Sequence, residues 1–282
     1  MIARGRFTVV ALCVAALAGF AANSLLCRAA LGAGSIDAAS FTAIRSASGA
    51  LVLLALAHRE PVRRAGSWGS ALALFAYAAA FSFAYLRLTT ATGALILFAT
   101  VQATMIGWGV ARGERPRPFA WLGFAIAAGG LVVLTLPGLA APDPIGGGLM
   151  AIAGASWAIY SLRGRAAVHP LAVTADNFAR AVPMAAVLLV AIPFAGGHAN
   201  VHGIVLAIGS GAIASGIGYS LWYAALPSLA ATRAAIVQLA VPVVAAACGG
   251  LVLGEPITMR LAAATIAIIG GIAIVLVTKQ HR

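Results

Sequence analysis

Acidic residues are scarce in this chain: six Asp and Glu stand among 282 residues against eighteen Lys and Arg, and Lys279 is the only lysine. Charged residues reach only 9% and apolar ones 62%, with a mean hydropathy of +1.03. A soluble domain carries about a quarter charged and about half apolar residues, so a water-soluble fold could not hide this much apolar surface. The three cysteines, Cys13, Cys27 and Cys248, lie far apart within apolar runs and lack the paired spacing of a zinc or redox site. They read as buried core residues.

Other absences exclude whole function classes. The five histidines, His58, His169, His198, His202 and His281, fall near run ends or loops, with no histidine-glutamate zinc motif or clustered acid pair. That argues against a membrane-embedded enzyme and against a metal site. No G-x-x-x-x-G-K-[ST] loop is present, which excludes an ATP-driven pump. No carboxylate sits plainly at mid-helix, so a proton relay has no candidate, and either ion coupling or simple downhill export stays open. The net charge of +12 is scattered singly and in threes between apolar runs, with no long basic face, so no nucleic-acid partner is expected.

What is present is a series of apolar runs. Ten can be marked, at about 7 to 27, 37 to 57, 67 to 86, 90 to 111, 118 to 137, 147 to 162, 172 to 195, 202 to 224, 231 to 253 and 258 to 278, each near the ~20 residues of one bilayer crossing. With a cytoplasmic N-terminus, Arg4, Arg6, Arg59, Arg63, Arg64, Arg112, Arg115, Arg117, Arg163, Arg165, Arg233, Lys279 and Arg282 lie inside and only Arg28, Arg87 and Arg260 outside. The excess of basic residues belongs on the cytoplasmic side, so both termini are predicted there. A cleaved signal peptide is the alternative for the first run, but it would leave nine helices. Trp68 and Trp121, near helix ends, suit headgroup anchoring.

The two halves of the chain resemble each other. Gly113-Glu114 after the fourth run matches Gly254-Glu255 after the ninth, and Gly129-Gly130 matches Gly270-Gly271, both at an offset of 141. Upstream, at 138, Tyr77 aligns with Ser215, Phe81 with Tyr219, Tyr85 with Tyr223, Thr100 with Gln238 and Thr104 with Pro242, while Phe41 aligns with Phe178 at 137. Five crossings per half is an odd number, so residues 142–282 enter the membrane from the side opposite to residues 1–141. The fold expected is an all-α integral membrane protein of ten helices in two inverted five-helix repeats, the architecture of a secondary transporter with a midplane site. Duplication in a structural or sensory membrane protein is the competing reading.

Ten helices, two halves and the GERP and GEP motifs closing the fourth and ninth runs resemble the EamA-type branch of the drug/metabolite transporter superfamily. Thr100-Val101-Gln102-Ala103-Thr104-Met105-Ile106-Gly107-Trp108-Gly109, followed by Arg112-Gly113-Glu114-Arg115-Pro116, is similar to the bacterial aromatic amino acid exporters. That resemblance implies a bacterial inner-membrane exporter of amino acids, without a cofactor. It also implies a cavity lined by the first, third, fourth, sixth, eighth and ninth helices, with the fifth and tenth peripheral. The second half departs from the first by having Gly254-Glu255-Pro256 without the arginine. Export of another small solute or drug remains an alternative.

Helical spacing then names candidate cavity residues. Tyr77, Phe81 and Tyr85 form one stripe of the third helix, and Ser215, Tyr219 and Tyr223 answer it on the eighth. Thr100, Thr104 and Trp108 share a face of the fourth helix, with Gln238 and Pro242 as counterparts on the ninth; Pro242 frees a backbone carbonyl and offers a hinge. Asn23 and Trp157 complete the candidate set. Either the stripes are packing, or their polar tips face a water-filled cavity.

The intramembrane Arg45 and Arg180 each cost at least about 2.5 kcal/mol near a helix centre and call for a reason. Asp176 can pair with Arg180 at i,i+4, or one arginine attracts a substrate carboxylate or gates the halves. The glycine pairs of the fifth and tenth helices offer close packing, within the chain or in a homodimer.

Overall fold

The structure, a computed structural model, describes residues 6–62, 65–113, 118–136, 141–164, 167–190, 197–225, 228–229 and 237–278. Its helices are α1 (Arg6–Gly32), α2 (Ala38–Leu56), α3 (Trp68–Tyr85), α4 (Thr90–Ala111), α5 (Pro118–Thr135), α6 (Pro144–Gly164) and α7 (Pro170–Val190). They are followed by α8 (Val201–Ala225), α9 (Ala240–Leu253) and α10 (Met259–Thr278). Nine of these are long and apolar enough to cross a bilayer; α9 has 14 residues, and the predicted start of its run, 231–236, lies outside the described residues. Among the described residues no strand occurs, only an antiparallel bridge between Ile36 and Ala199.

Helix starts follow from local chemistry. Asp37, Ser67, Thr89 and Asn200 cap α2, α3, α4 and α8, each accepting a hydrogen bond from the backbone N–H three residues on. Pro118, Pro144 and Pro170 open α5, α6 and α7, where a missing N–H costs nothing. Gly113 after α4 and Gly254 after α9 both take the left-handed conformation, with φ of 90° and 66°, which only glycine adopts freely. These are the two glycines of the repeated motif. Glu114, Arg115 and Pro116 lie outside the described residues, as do Arg4, Arg63, Arg64, Arg117, Arg165, Arg233, Lys279 and Arg282, which carry most of the orientation argument.

Packing pairs the helices across the chain. α3 lies on α6 and α8 on α1; α4 lies on α6 and α9 on α1; α3 lies on α7 and α8 on α2. α2 packs on α7, α4 on α9 and α5 on α10, so exchanging each helix for the one five places along returns these same pairs. The α5–α10 contact runs through glycine: a Cβ on Gly123 would come within 2.5 Å of the Gly271 carbonyl oxygen, and one on Gly130 within 2.8 Å of Ala267. Part of the surface considered for a homodimer is thus occupied within the chain. Gly129 and Gly270 have nothing near them.

Large apolar side chains such as Phe7, Leu251 and Ile266 point outward, while Asn23, Arg45, Gln102, Asn177, Ser210 and Ser215 are buried. This inside-out distribution of polarity is that of a protein solvated by lipid. Trp68 and Trp121 stand 58% and 57% exposed at helix starts, as anchors would.

Candidate functional site

At the centre α8 leaves α-helical geometry and is π-helical over Gly209–Ile217. Such a bulge re-aims side chains and is frequent at functional sites. Here it brings two serines inward: the Ser210 hydroxyl donates to Asn23 Oδ1 on α1 at 2.5 Å, and Ser215 Oγ accepts from Arg45 Nε on α2 at 3.4 Å. Glycine permits the approach, since a Cβ on Gly211 would collide with Ser48 Oγ and the Arg45 carbonyl oxygen.

Arg45 occupies the middle of this network and is 2% exposed. Its Nη2 donates to Tyr77 Oη at 3.0 Å, and its guanidinium lies 5.1 Å from the Tyr77 ring centre and 5.0 Å from that of Phe81. Tyr77 on α3 and Ser215 on α8, positions that align at the sequence offset of 138, are both bonded by Arg45. Asn23 Nδ2 donates to the same Tyr77 hydroxyl at 3.2 Å.

Around this core lie two cavities. The larger is lined from α1 by Phe20, Asn23 and Ser24 and from α3 by Tyr77 and Phe81. Leu97 and Phe98 of α4, Trp157 of α6, Tyr219 of α8 and Gln238, just before α9, close it. Those are the six helices that the family resemblance implies. Its rings form a continuous wall: Trp157 lies 4.9 Å from Tyr77 and 5.1 Å from Tyr219, and Phe20 lies 5.8 Å from Tyr219. The smaller cavity is lined by Arg45, Ser46, Leu74, Tyr77, Ala78, Phe178 and Ala181. The larger one has room for roughly one water. The conformation is closed.

Of the sequence-predicted residues, Asn23, Tyr77, Phe81, Trp157, Tyr219 and Gln238 meet at the larger cavity, and Arg45 lines the smaller. Ser215 reaches neither and holds Arg45 instead. Tyr85 is fully buried beside them, its hydroxyl donating to the Thr90 carbonyl at 3.4 Å, and Tyr223 packs on the main core. Thr100 packs on α6, where a Cβ on Gly154 would meet its Cβ at 2.8 Å, and Thr104 is half-buried without lining either cavity. Trp108 is 49% exposed, with Arg112 4.6 Å above its ring, well away from the cavities. Arg180 pairs with Asp176 at 3.0 Å and lies 5.1 Å from the Trp68 ring centre, fulfilling the i,i+4 expectation. Pro242 is the third residue of α9, and the chain turns at Leu239, beside the Gln238 carbonyl that Pro242 leaves without an N–H.

Sequence reasoning missed Phe20, Ser24, Leu97, Phe98, Phe178 and Ser210. The run Gly209-Ser210-Gly211 with Ser215-Gly216 carried a signal, since small residues and serines so dense within an apolar span mark close helix contact and inward polarity.

Comparison with known proteins follows the same lines. The EamA-like transporter family model matches residues 144–277, from the first residue of α6 almost to the end of α10. An uncharacterized protein of Pseudomonas aeruginosa is 52% identical over 279 residues, covering 96% of this chain and 95% of that protein. The chain belongs to the EamA-like transporter family. An uncharacterized transporter of Archaeoglobus fulgidus is 30% identical over 158 residues, 55% of this chain and 56% of that one. A solved crystal structure shares the fold at 18% identity, with a TM-score of 0.66 over 99% of this chain and 100% of that chain. This EamA protein is therefore a multi-pass membrane transporter of small solutes with a bacterial homologue.

Both ends of this EamA bundle are tied shut, by different chemistry. At one, Glu255 pairs with Arg28 at 3.1 Å and accepts the Thr90 N–H at the start of α4 at 2.8 Å, while Arg28 donates to the Tyr85 carbonyl. A carboxylate there also complements the positive end of α4. At the other, the loop before α3 bonds α7: Gly66 N–H donates to Asp176 at 2.8 Å and Ser67 N–H to Asn177 at 2.9 Å. Arg163 of α6 adds a bond to Ser70 at 3.1 Å.

Proposed function

We propose that this protein is a secondary exporter of small metabolites, foremost aromatic and other neutral amino acids, working by alternating access in a bacterial inner membrane. Residues 1–141 and 142–282 form its two inverted halves, with both termini cytoplasmic. The observation that carries the reading is the cavity itself: α1, α3, α4, α6, α8 and the residue just before α9 converge on one aromatic chamber with polar tips. The exchange symmetry of the helix contacts and a family match spanning α6 to α10 support the division into halves.

Transport requires motion, because a space for one water cannot hold an amino acid. Breaking the Arg28–Glu255–Thr90 contacts opens one end, and parting Gly66 and Ser67 from Asp176 and Asn177 opens the other. Two inverted halves make those states near-equivalent. Arg180 then belongs to the second gate, and the break before Pro242 gives α9 a place to bend. Aromatic walls suit an apolar or aromatic side chain. The face around Gly129 and Gly270 is the part of the glycine surface left for a second copy of the chain.

The test is efflux of labelled amino acids from liposomes containing the purified chain. Saturable efflux, reduced at least tenfold by Gln238→Ala without loss of folding, supports the reading. A well-folded protein that moves no amino acid while moving other solutes of a broad panel replaces the substrate class, and one that moves nothing overturns the carrier reading.

A further inference from the structure

Arg45 holds more hydrogen-bonding capacity than its neighbours use. Five N–H groups radiate from a guanidinium. Here Nε reaches Ser215 and Nη2 reaches Tyr77, while Nη1 is buried without a partner among the described residues. No acidic side chain lines either cavity, and the ion pairs of the described residues, Arg28–Glu255, Arg87–Asp143 and Arg180–Asp176, leave Arg45 out. Asp37, the acid that precedes it on the chain, caps α2 eight residues away. A cation in the middle of a membrane protein, enclosed and without a counter-charge, is a costly arrangement unless an anion arrives to complete it.

We propose that Arg45 is the anchor for a substrate carboxylate, and that the carboxylate together with an apolar body, rather than an α-ammonium group, is what this carrier recognises. The proposal rests on the carrier reading and names the ligand class of the same site: organic monocarboxylates with an aromatic or branched apolar body, amino acids being accepted through their carboxylate. The planar fork of a guanidinium matches two carboxylate oxygens, so Nη1 and Nη2 supply a bidentate edge once Tyr77 yields its bond. Tyr77 lines both cavities, so swinging that one side chain joins the cationic cavity to the aromatic one. The carboxylate then lies at Arg45 and the body against Trp157, Tyr219, Phe20 and Phe81.

An α-ammonium gains no ion pair there. It also sits one carbon from the carboxylate and so close to the Arg45 cation. Removing it leaves affinity unchanged or raises it, whereas neutralising the carboxylate removes the main attraction.

The experiment compares three ligands on the full chain in lipid nanodiscs, read by isothermal titration calorimetry: 3-phenylpropanoate, L-phenylalanine and 3-phenylpropanamide. 3-Phenylpropanoate is expected to bind at least as tightly as L-phenylalanine, and the amide at least thirtyfold more weakly. Arg45→Gln abolishes the preference for acid over amide, and Arg45→Lys, which keeps the charge without the fork, retains part of it. Equal binding of acid and amide, or L-phenylalanine tenfold tighter than 3-phenylpropanoate, overturns the proposal; if labelled L-phenylalanine still leaves liposomes in that case, the carrier reading stands without it. If Arg45→Gln does not fold, the three-ligand comparison on the unaltered chain decides alone.

Discussion

Arg45 and Arg180 lie on α2 and α7, helices that the proposed division into halves makes counterparts, yet their surroundings are opposite. Arg180 faces Asp176 one turn earlier at 3.0 Å, lies 5.1 Å from the Trp68 ring centre, and shares a carboxylate that also holds Gly66. Arg45 is more deeply buried, and among the described residues its guanidinium bonds neutral hydroxyls alone and keeps one nitrogen unpaired. Chemically identical side chains thus serve two purposes: one is neutralised within the fold, and the other remains a charge available to a ligand. At the sequence offset that aligns Phe41 with Phe178, neither arginine has an arginine opposite it.

The comparison breaks most visibly on transport. Arg45→Gln is expected to lower substrate flux in liposomes by at least fiftyfold with the folded yield retained. Asp176→Asn, which strands Arg180, is expected to cost about 1–3 kcal/mol of stability and to move substrate affinity less than threefold. Calorimetric unfolding beside flux separates the two outcomes; equal flux loss in both would erase the distinction. Next in size, Gly123→Val forces apart the α5 and α10 backbones and should cost about 1–3 kcal/mol of stability, leaving substrate affinity unmoved because α5 and α10 line neither cavity. A smaller effect follows from Glu255→Gln, which discharges the pair with Arg28 but keeps an oxygen for the Thr90 N–H. Labelling of a cysteine at Ser24 from that end should quicken about threefold. Trp108→Leu is expected to change flux by less than the error of measurement, since its ring meets Arg112 and lipid.

Much of the fold could be read directly. Apolar runs placed the spans and Gly-Glu motifs marked the ends of the fourth and ninth, where Gly113 and Gly254 carry the same left-handed turn. The cavity was legible where a side chain made burial in lipid expensive, as for Asn23, Gln238 and Arg45, and where rings fell on one helical stripe, as for Tyr77, Phe81 and Tyr219. Which face of α4 looks inward was not, because a helix that is apolar all round carries no amphipathic stripe to orient it. Hence Trp108 was placed in the cavity, while Leu97 and Phe98, ordinary apolar residues, line it instead. The π-helical stretch of α8 was equally hidden: it shifts the register of every side chain after it, and a strict step of four cannot foresee that.

Alternating access requires a cavity that opens in turn to each side of the membrane. Ser24→Cys on a background with Cys13, Cys27 and Cys248 replaced puts one thiol in the larger cavity, and membrane-impermeant reagents can then be applied from either face of sealed vesicles. Labelling from both faces, slowed by bound substrate, is the predicted result. Labelling confined to one face under every substrate and lipid condition would contradict it.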